Sequence, residues 1–191
     1  MSSNVIQWGA LGAILAGVVW LASGVVDITF MRGQGYEPPG FIFLVEVMYI
    51  VALAGTLGGL VGLHARQATR YGRLGTAGFL AAFIGSALLL IGLVLTFLIR
   101  DSALARVFAD SVLGLGLLCT FVGFVLLGVA TLMLGVLPQW CGLLLIVCLP
   151  LAVVLGDHGG GITLGLVWLA LGYVLLSQRD VSALVGGSEK R

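Results

Sequence analysis

The amino-acid sequence predicts an all-α integral membrane protein, a compact bundle of about six transmembrane helices that reads as three tandem helical hairpins. Of its 191 residues, 60% are hydrophobic and only 9% are charged, against about 25% charged in ordinary soluble domains. The apolar residues come in continuous runs long enough to cross a hydrocarbon core, since about 20 residues rising 1.5 Å each span about 30 Å. The 30 glycines, about twice the usual share of roughly 7%, fall at helical spacings that suit close helix packing.

Six runs meet the length criterion: Gln7 to Met31, Phe41 to His64, Leu74 to Ile99, Val112 to Val136, Trp140 to Gly156 and Gly161 to Ser177. The first has no basic segment before it and no small-residue cleavage site after it, so it reads as a retained helix and not as a signal peptide. The fifth and sixth are the shortest, which keeps a five-helix or re-entrant alternative open. Pro150 lies within the fifth, where it lacks a backbone donor and favours a kink. Residues 1–179 form a single polytopic domain, followed by a short polar tail over 180–191. A membrane barrel is disfavoured, because its strands need strict alternation over about ten residues.

Charge orients the chain. With six spans, Arg66, Arg70, Arg73, Arg179, Lys190 and Arg191 share a side with both termini, and only Arg32, Arg100 and Arg106 lie opposite. The positive-inside rule then places both termini in the cytoplasm, in a cytoplasmic membrane. Six of the eight acids, Asp27, Glu37, Glu46, Asp101, Asp110 and Asp157, fall toward the outer side. Arg66, Arg70 and Arg73 form a basic loop suited to lipid headgroups, and the loop is too short for nucleic acid.

The glycines define packing faces. Gly55 with Gly59, Gly58 with Gly62, and Gly161 with Gly165 are spaced i, i+4. Gly78, Ala82 and Ser86 extend the pattern in the third helix, and Gly128 and Gly135 lie seven apart in the fourth. Small faces let helix backbones approach closely in lipid, against another helix of this chain, a second copy or another membrane protein. "WGALGAILAGVVW" and "YGRLGTAGFLAAF" share a helix-opening pattern that fits either the hairpin repeat or the plain recurrence of aromatic residues and glycine near membrane interfaces. Between the third and fourth helices, "RDSALARVFADS" reads as a short interfacial helix or as an extension of the fourth.

Chemistry-bearing residues are few. Asp27 lies about four residues before the outer end of the first helix and Glu46 about five after the start of the second, so both sit roughly 6–8 Å below the outer boundary. Ionisable residues in membrane segments are functional by default, and a shared proton or cation is one use for such a pair. The alternative is a structural pair that reaches interfacial water. Tyr49, one turn beyond Glu46, is placed to donate a hydrogen bond to it. Asp157 and His158 in "GDHGGG" form a polar turn on the same side, and nothing in their spacing resembles a zinc signature. With His64 and His158 at opposite ends, the spacing disfavours a bis-histidine haem across one pair of helices. Cys119, Cys141 and Cys148 contain no CxxC and read as reduced packing residues. GxSxG, HExxH and GxxxxGK[ST] are all absent, so neither a metal nor a cofactor is expected.

With "YGRLGTAGF" opening a helix, the chain is similar to many small bacterial membrane proteins, and no family motif matches it residue by residue. Three functions fit. The first is a non-enzymatic membrane component or binding subunit packing through its glycine faces. The second is a small proton- or cation-coupled transporter using Asp27 and Glu46. An outer-face lipid-modifying enzyme acting through Asp27, Glu46 and His158 ranks last, for want of a nucleophile or metal motif.

Overall fold

The computed structural model describes residues 3–31, 39–67, 72–98, 103–135 and 137–188. Among them it is all-helical: α1 (Ser3–Met31), α2 (Pro39–Gln67), α3 (Arg73–Leu98), α4 (Ala103–Leu134), α5 (Gln139–Leu155) and α6 (Gly160–Ser188), with a 3-10 turn over Gly156–His158. Five of these contain stretches long and apolar enough to cross a membrane: Asn4–Thr29, Phe43–Gln67, Arg73–Leu98, Arg106–Leu134 and Gly160–Ser177. With 17 residues, α5 is equally apolar but falls just short of that length.

Two helices extend past the apolar runs read from the sequence. Of the two readings of the segment before the fourth span, the extension holds and the separate interfacial helix does not: α4 is continuous from Ala103, with Leu104, Val107 and Phe108 exposed on its first turns. No glycine or proline breaks the run from Ala103 to Ser111, so nothing stops the helix from extending. At the other terminus α6 continues to Ser188, taking most of the polar tail into the helix.

The glycines sort the six helices into two layers. In the first, α1 lies between α2 and α6. A Cβ added to Gly9 would overlap the backbone of Gly62, and one on Gly55 would come within 2.8 Å of the Gly12 oxygen. The neighbouring face of α1 meets α6, where a Cβ on Gly165 would lie 2.6 Å from the Leu21 nitrogen and one on Gly161 would lie 2.9 Å from Gly24 Cα. In the second layer α3 lies against α4 and α4 against α5. A Cβ on Gly78 would come 2.6 Å from the Leu127 nitrogen, one on Gly123 would overlap the backbone of Ala82, and one on Gly128 would lie 2.6 Å from the Gly142 oxygen. These faces are therefore engaged within the chain. Gly135 takes no part in packing; at φ +61° with open space around it, it ends α4 in the left-handed conformation that glycine adopts without penalty.

The layers meet edge to edge at two seams, α2 with α3 and α5 with α6. The α5–α6 pairing is narrower than that of α1 with α2 or α3 with α4, and the main partner of α6 is α1. Between the layers, toward the end bearing His64, the core is packed by Leu60, Leu63, Leu127, Leu145, Leu171 and Leu175, each 0–1% exposed. Cys141 and Cys148 are buried free thiols on α5, and Cys119 is half-buried on α4.

Polarity is inverted relative to a soluble protein. Ser23, Asp27, Thr56, Gln67, Ser86, Thr120 and Thr131 are buried, while Leu15, Val18, Ile84, Ile91, Leu118 and Val154 face outward. An apolar exterior around a partly polar interior is the arrangement that a lipid environment favours.

Candidate functional site

Toward the end bearing Asp27 the layers separate around a cavity of about 320 Å³ lined from all six helices. Glycine contacts draw helices together within each layer, and few small residues do the same across the seams, so the space between the layers is left to side chains. Leu53, Leu89, Leu93, Leu113, Leu117 and Leu164 line most of it. Its floor is the pair Phe124 and Trp168, which meet edge to face at 6.1 Å and are 2% and 1% exposed. Gly59 makes room for this indole, since a Cβ there would come 2.6 Å from the Trp168 ring.

One wall carries a polar relay across α1 and α2. The Tyr49 hydroxyl donates to Asp27 Oδ2 at 2.7 Å, the Tyr49 ring packs on Trp20 at 5.4 Å, and the Trp20 indole N–H donates to Thr56 Oγ1 at 3.4 Å. The sequence reading aimed the Tyr49 proton at Glu46; it crosses to α1 instead. Side chains lean toward the N-terminus of their own helix. Because α1 and α2 run in opposite directions, Tyr49 leans toward the level of Asp27 while Asp27 leans back toward Tyr49. A phenol has one proton to donate, so the bond to Asp27 leaves none for Glu46.

Asp27 is only 9% exposed. The bundle has therefore turned it inward, although its distance from the helix end left it free to reach interfacial water. Glu46 is half-buried on α2. His158 is exposed on the 3-10 turn, and that turn packs on α1. Gly156 at φ +48° and Gly159 at φ +146° bracket it, conformations that glycine reaches at little steric cost. The side chain of Asp157 lies outside the described residues, as does Arg70. Among the described residues no cluster of three or more His, Cys, Asp or Glu is disposed to hold a metal ion. In the basic segment Arg66 is half-buried and Arg73 exposed.

At the opposite end His64 stacks on Phe79 at 4.0 Å. The Thr131 hydroxyl is shared between the Leu127 carbonyl at 2.8 Å and Gln67 Oε1 at 3.2 Å. These contacts tie α2 to α3 and α4 below the floor of the cavity.

Trp20, Thr56, Ser86, Thr120, Phe124 and Trp168 were not singled out as site residues by sequence. By spacing alone Ser86 belongs to the small-residue face of α3. It follows Ala82 by four residues, about 40° further round the helix at 100° per residue. Gly78, Ala82 and Gly85 face α4, and Ser86 lies far enough round to line the cavity. The result is a mostly apolar chamber with a few hydroxyl groups and a buried carboxylate behind one wall, the usual composition of a small-molecule site. Comparison with protein-family models, with curated proteins and with solved structures finds no match to this chain.

Proposed function

We propose that this chain is a non-enzymatic, six-span protein of the cytoplasmic membrane, with both termini cytoplasmic, that binds a small, uncharged, largely apolar molecule in the chamber between its two layers. The observation that carries the reading is a partly open cavity lined from all six helices and closed below by Phe124, Trp168 and the packed leucines. Water filling it would find few hydrogen-bond partners among the leucines, so an apolar occupant gains by displacing it. Among the described residues no Lys or Arg lines the chamber, which argues against an anionic occupant. At about 320 Å³ it is roughly twice the approximately 150 Å³ that accommodates benzene, which suits a molecule of bicyclic size. The apolar exterior provides a lipid-facing surface, and the glycine faces serve the fold itself.

Trp20 and Trp168 line the cavity, whereas Trp8 and Trp140 are exposed. In a Trp8→Phe, Trp140→Phe background reconstituted in lipid nanodiscs, bicyclic probes are expected to quench the remaining fluorescence saturably at fixed lipid. Leu89→Trp, which adds a ring to the cavity wall, is expected to abolish the saturable component. Quenching that rises linearly with probe in both proteins would mean partition into lipid alone and would end this reading.

The buried Asp27, bonded to a tyrosine of the cavity wall, favours a second reading as a proton-coupled carrier. Intramembrane carboxylates commonly mark such pathways. On that reading, proteoliposomes acidify down a proton gradient, and Asp27→Asn reduces the flux at least tenfold while leaving the fold intact. Equal flux in the two proteins would remove Asp27 from any transport role.

A further inference from the structure

Serine and threonine hydroxyls in apolar helices normally donate back to a carbonyl of the preceding turn, and this chain follows the rule widely. Ser23, Thr29, Thr76, Thr96, Ser111, Thr120, Thr131, Thr163 and Ser177 each donate to a backbone oxygen three or four residues earlier. Thr56 and Ser86 do not, and of the two only Thr56 finds a partner, accepting from the Trp20 indole. The Ser86 side chain is 0% exposed, its Oγ has no hydrogen-bond partner, and it lines the cavity. Leaving a buried hydroxyl unpaired costs roughly 1–3 kcal/mol. The preceding turn offers a carbonyl, so the unpaired state is not forced by a lack of local acceptors.

Among the described residues every other lining hydroxyl has a hydrogen-bond partner, Thr56 as the acceptor from Trp20. Tyr49 donates to Asp27, Trp20 to Thr56 and Thr120 to the Gly116 carbonyl at 2.8 Å. Ser86 is thus the lining side chain, among the described residues, whose buried polar atom has no partner. Resting on the binding reading above, we propose that Ser86 is the specificity-determining anchor of the cavity, donating a hydrogen bond to an acceptor oxygen on a neutral bicyclic-sized ligand. The ligand class is a lipophilic ketone or ether, with its hydrocarbon body against the leucines and its oxygen directed at α3. The bare hydrocarbon of the same shape would leave Ser86 unpaired, and sites built to bond a polar group discriminate against analogues that lack it.

The test compares 1-tetralone with tetralin, bicyclic molecules that differ in one carbonyl, using the Trp8→Phe, Trp140→Phe protein in nanodiscs and concentrations expressed per lipid volume. The protein with Ser86 intact is expected to prefer tetralone by about five- to tenfold, the net effect of one hydrogen bond. Ser86→Ala is expected to remove that preference with tetralin affinity unchanged or improved. Folding is expected to survive, because the substitution deletes an unpaired polar atom and adds no volume; a thermal midpoint at or above that of the parent checks this. A preference that persists in Ser86→Ala overturns the anchor. Equal binding of both probes to the parent also overturns the anchor while leaving the cavity reading in place. Saturable binding of neither probe overturns both.

Discussion

Gly123→Val is expected to destabilise the protein more than any other single glycine substitution in the α3–α4 pair, by about 3 kcal/mol or more. Overpacking in a core typically costs about 1–3 kcal/mol because side chains shift to relieve it. Here the obstacle to a new Cβ is the backbone of Ala82, and a backbone has no rotamer to change. The two helices would have to separate along their length, losing the close contacts that drive association where lipid is as apolar as the helix surface. Gly114→Ala on the same helix is the contrasting case. Nothing lies within 4 Å of its Cβ position, so the change is expected to stabilise by about 0.5–1 kcal/mol through helix propensity alone. Denaturation in mixed micelles, followed by circular dichroism, measures both. Equal midpoints for the two variants would refute the assignment of Gly123 to a backbone contact.

That contrast marks how far sequence can be read. Helix extents were legible because the constraint is local: in lipid every backbone group must be satisfied within its own segment, so a continuous apolar run is nearly its own assignment. The helix ends before α4 and after α6 lie where the apolar rule weakens, so hydropathy alone does not mark them. Glycine spacing identified Gly55, Gly58, Gly59, Gly62, Gly161 and Gly165 as contact positions, but not their partners. Gly9 meeting Gly62 depends on matched depth in antiparallel neighbours, and Gly24 meeting Gly161 joins helices far apart in the chain. Even within one face the demands differ. A Cβ on Gly58 would lie an ordinary 3.6 Å from Gly12 Cα, whereas one on Gly62 would come within 2.8 Å of Gly9 Cα.

The candidate site was legible only at its polar edge. Asp27 and Tyr49 stand out as residue types in an apolar chain, although the direction of the hydrogen bond required the antiparallel geometry of α1 and α2. The cavity was not legible, because it is lined by the same leucines that elsewhere fill the core. Leu89 above the floor and Leu127 below it belong to the same layer and differ in whether the other layer closes on them, and no single-residue property records that difference. Ser86 was obscured by its own size, since a small residue at i, i+4 from another reads equally well as packing or as a hydroxyl set beside a space.

Trp168→Ala is expected to destabilise by about 2–3 kcal/mol and also to change what the cavity accepts. Tryptophan-to-alanine changes in packed cores cost about 3–5 kcal/mol, combining lost transfer from water with the void left behind. In lipid the transfer component is largely missing, and the void component remains because Trp168 is 1% exposed and packed on Phe124 and Gly59. Removing the indole lowers the floor of the chamber toward the leucines packed near the His64 end. Affinity for bicyclic probes should fall as their contacts are lost, while a tricyclic ketone excluded by the intact floor should bind. Trp168→Phe, which keeps an aromatic surface against Phe124, is expected to lie between the two in both stability and size preference. Reading the Trp168 variants requires a reporter other than Trp168 itself, and the remaining Trp20 serves in the Trp8→Phe, Trp140→Phe background. If the size preference of Trp168→Ala matched that of the parent while stability fell, the indole would be a packing residue with no part in bounding the cavity. If stability were unchanged as well, the contact between the two layers would have to lie elsewhere than at Phe124 and Trp168.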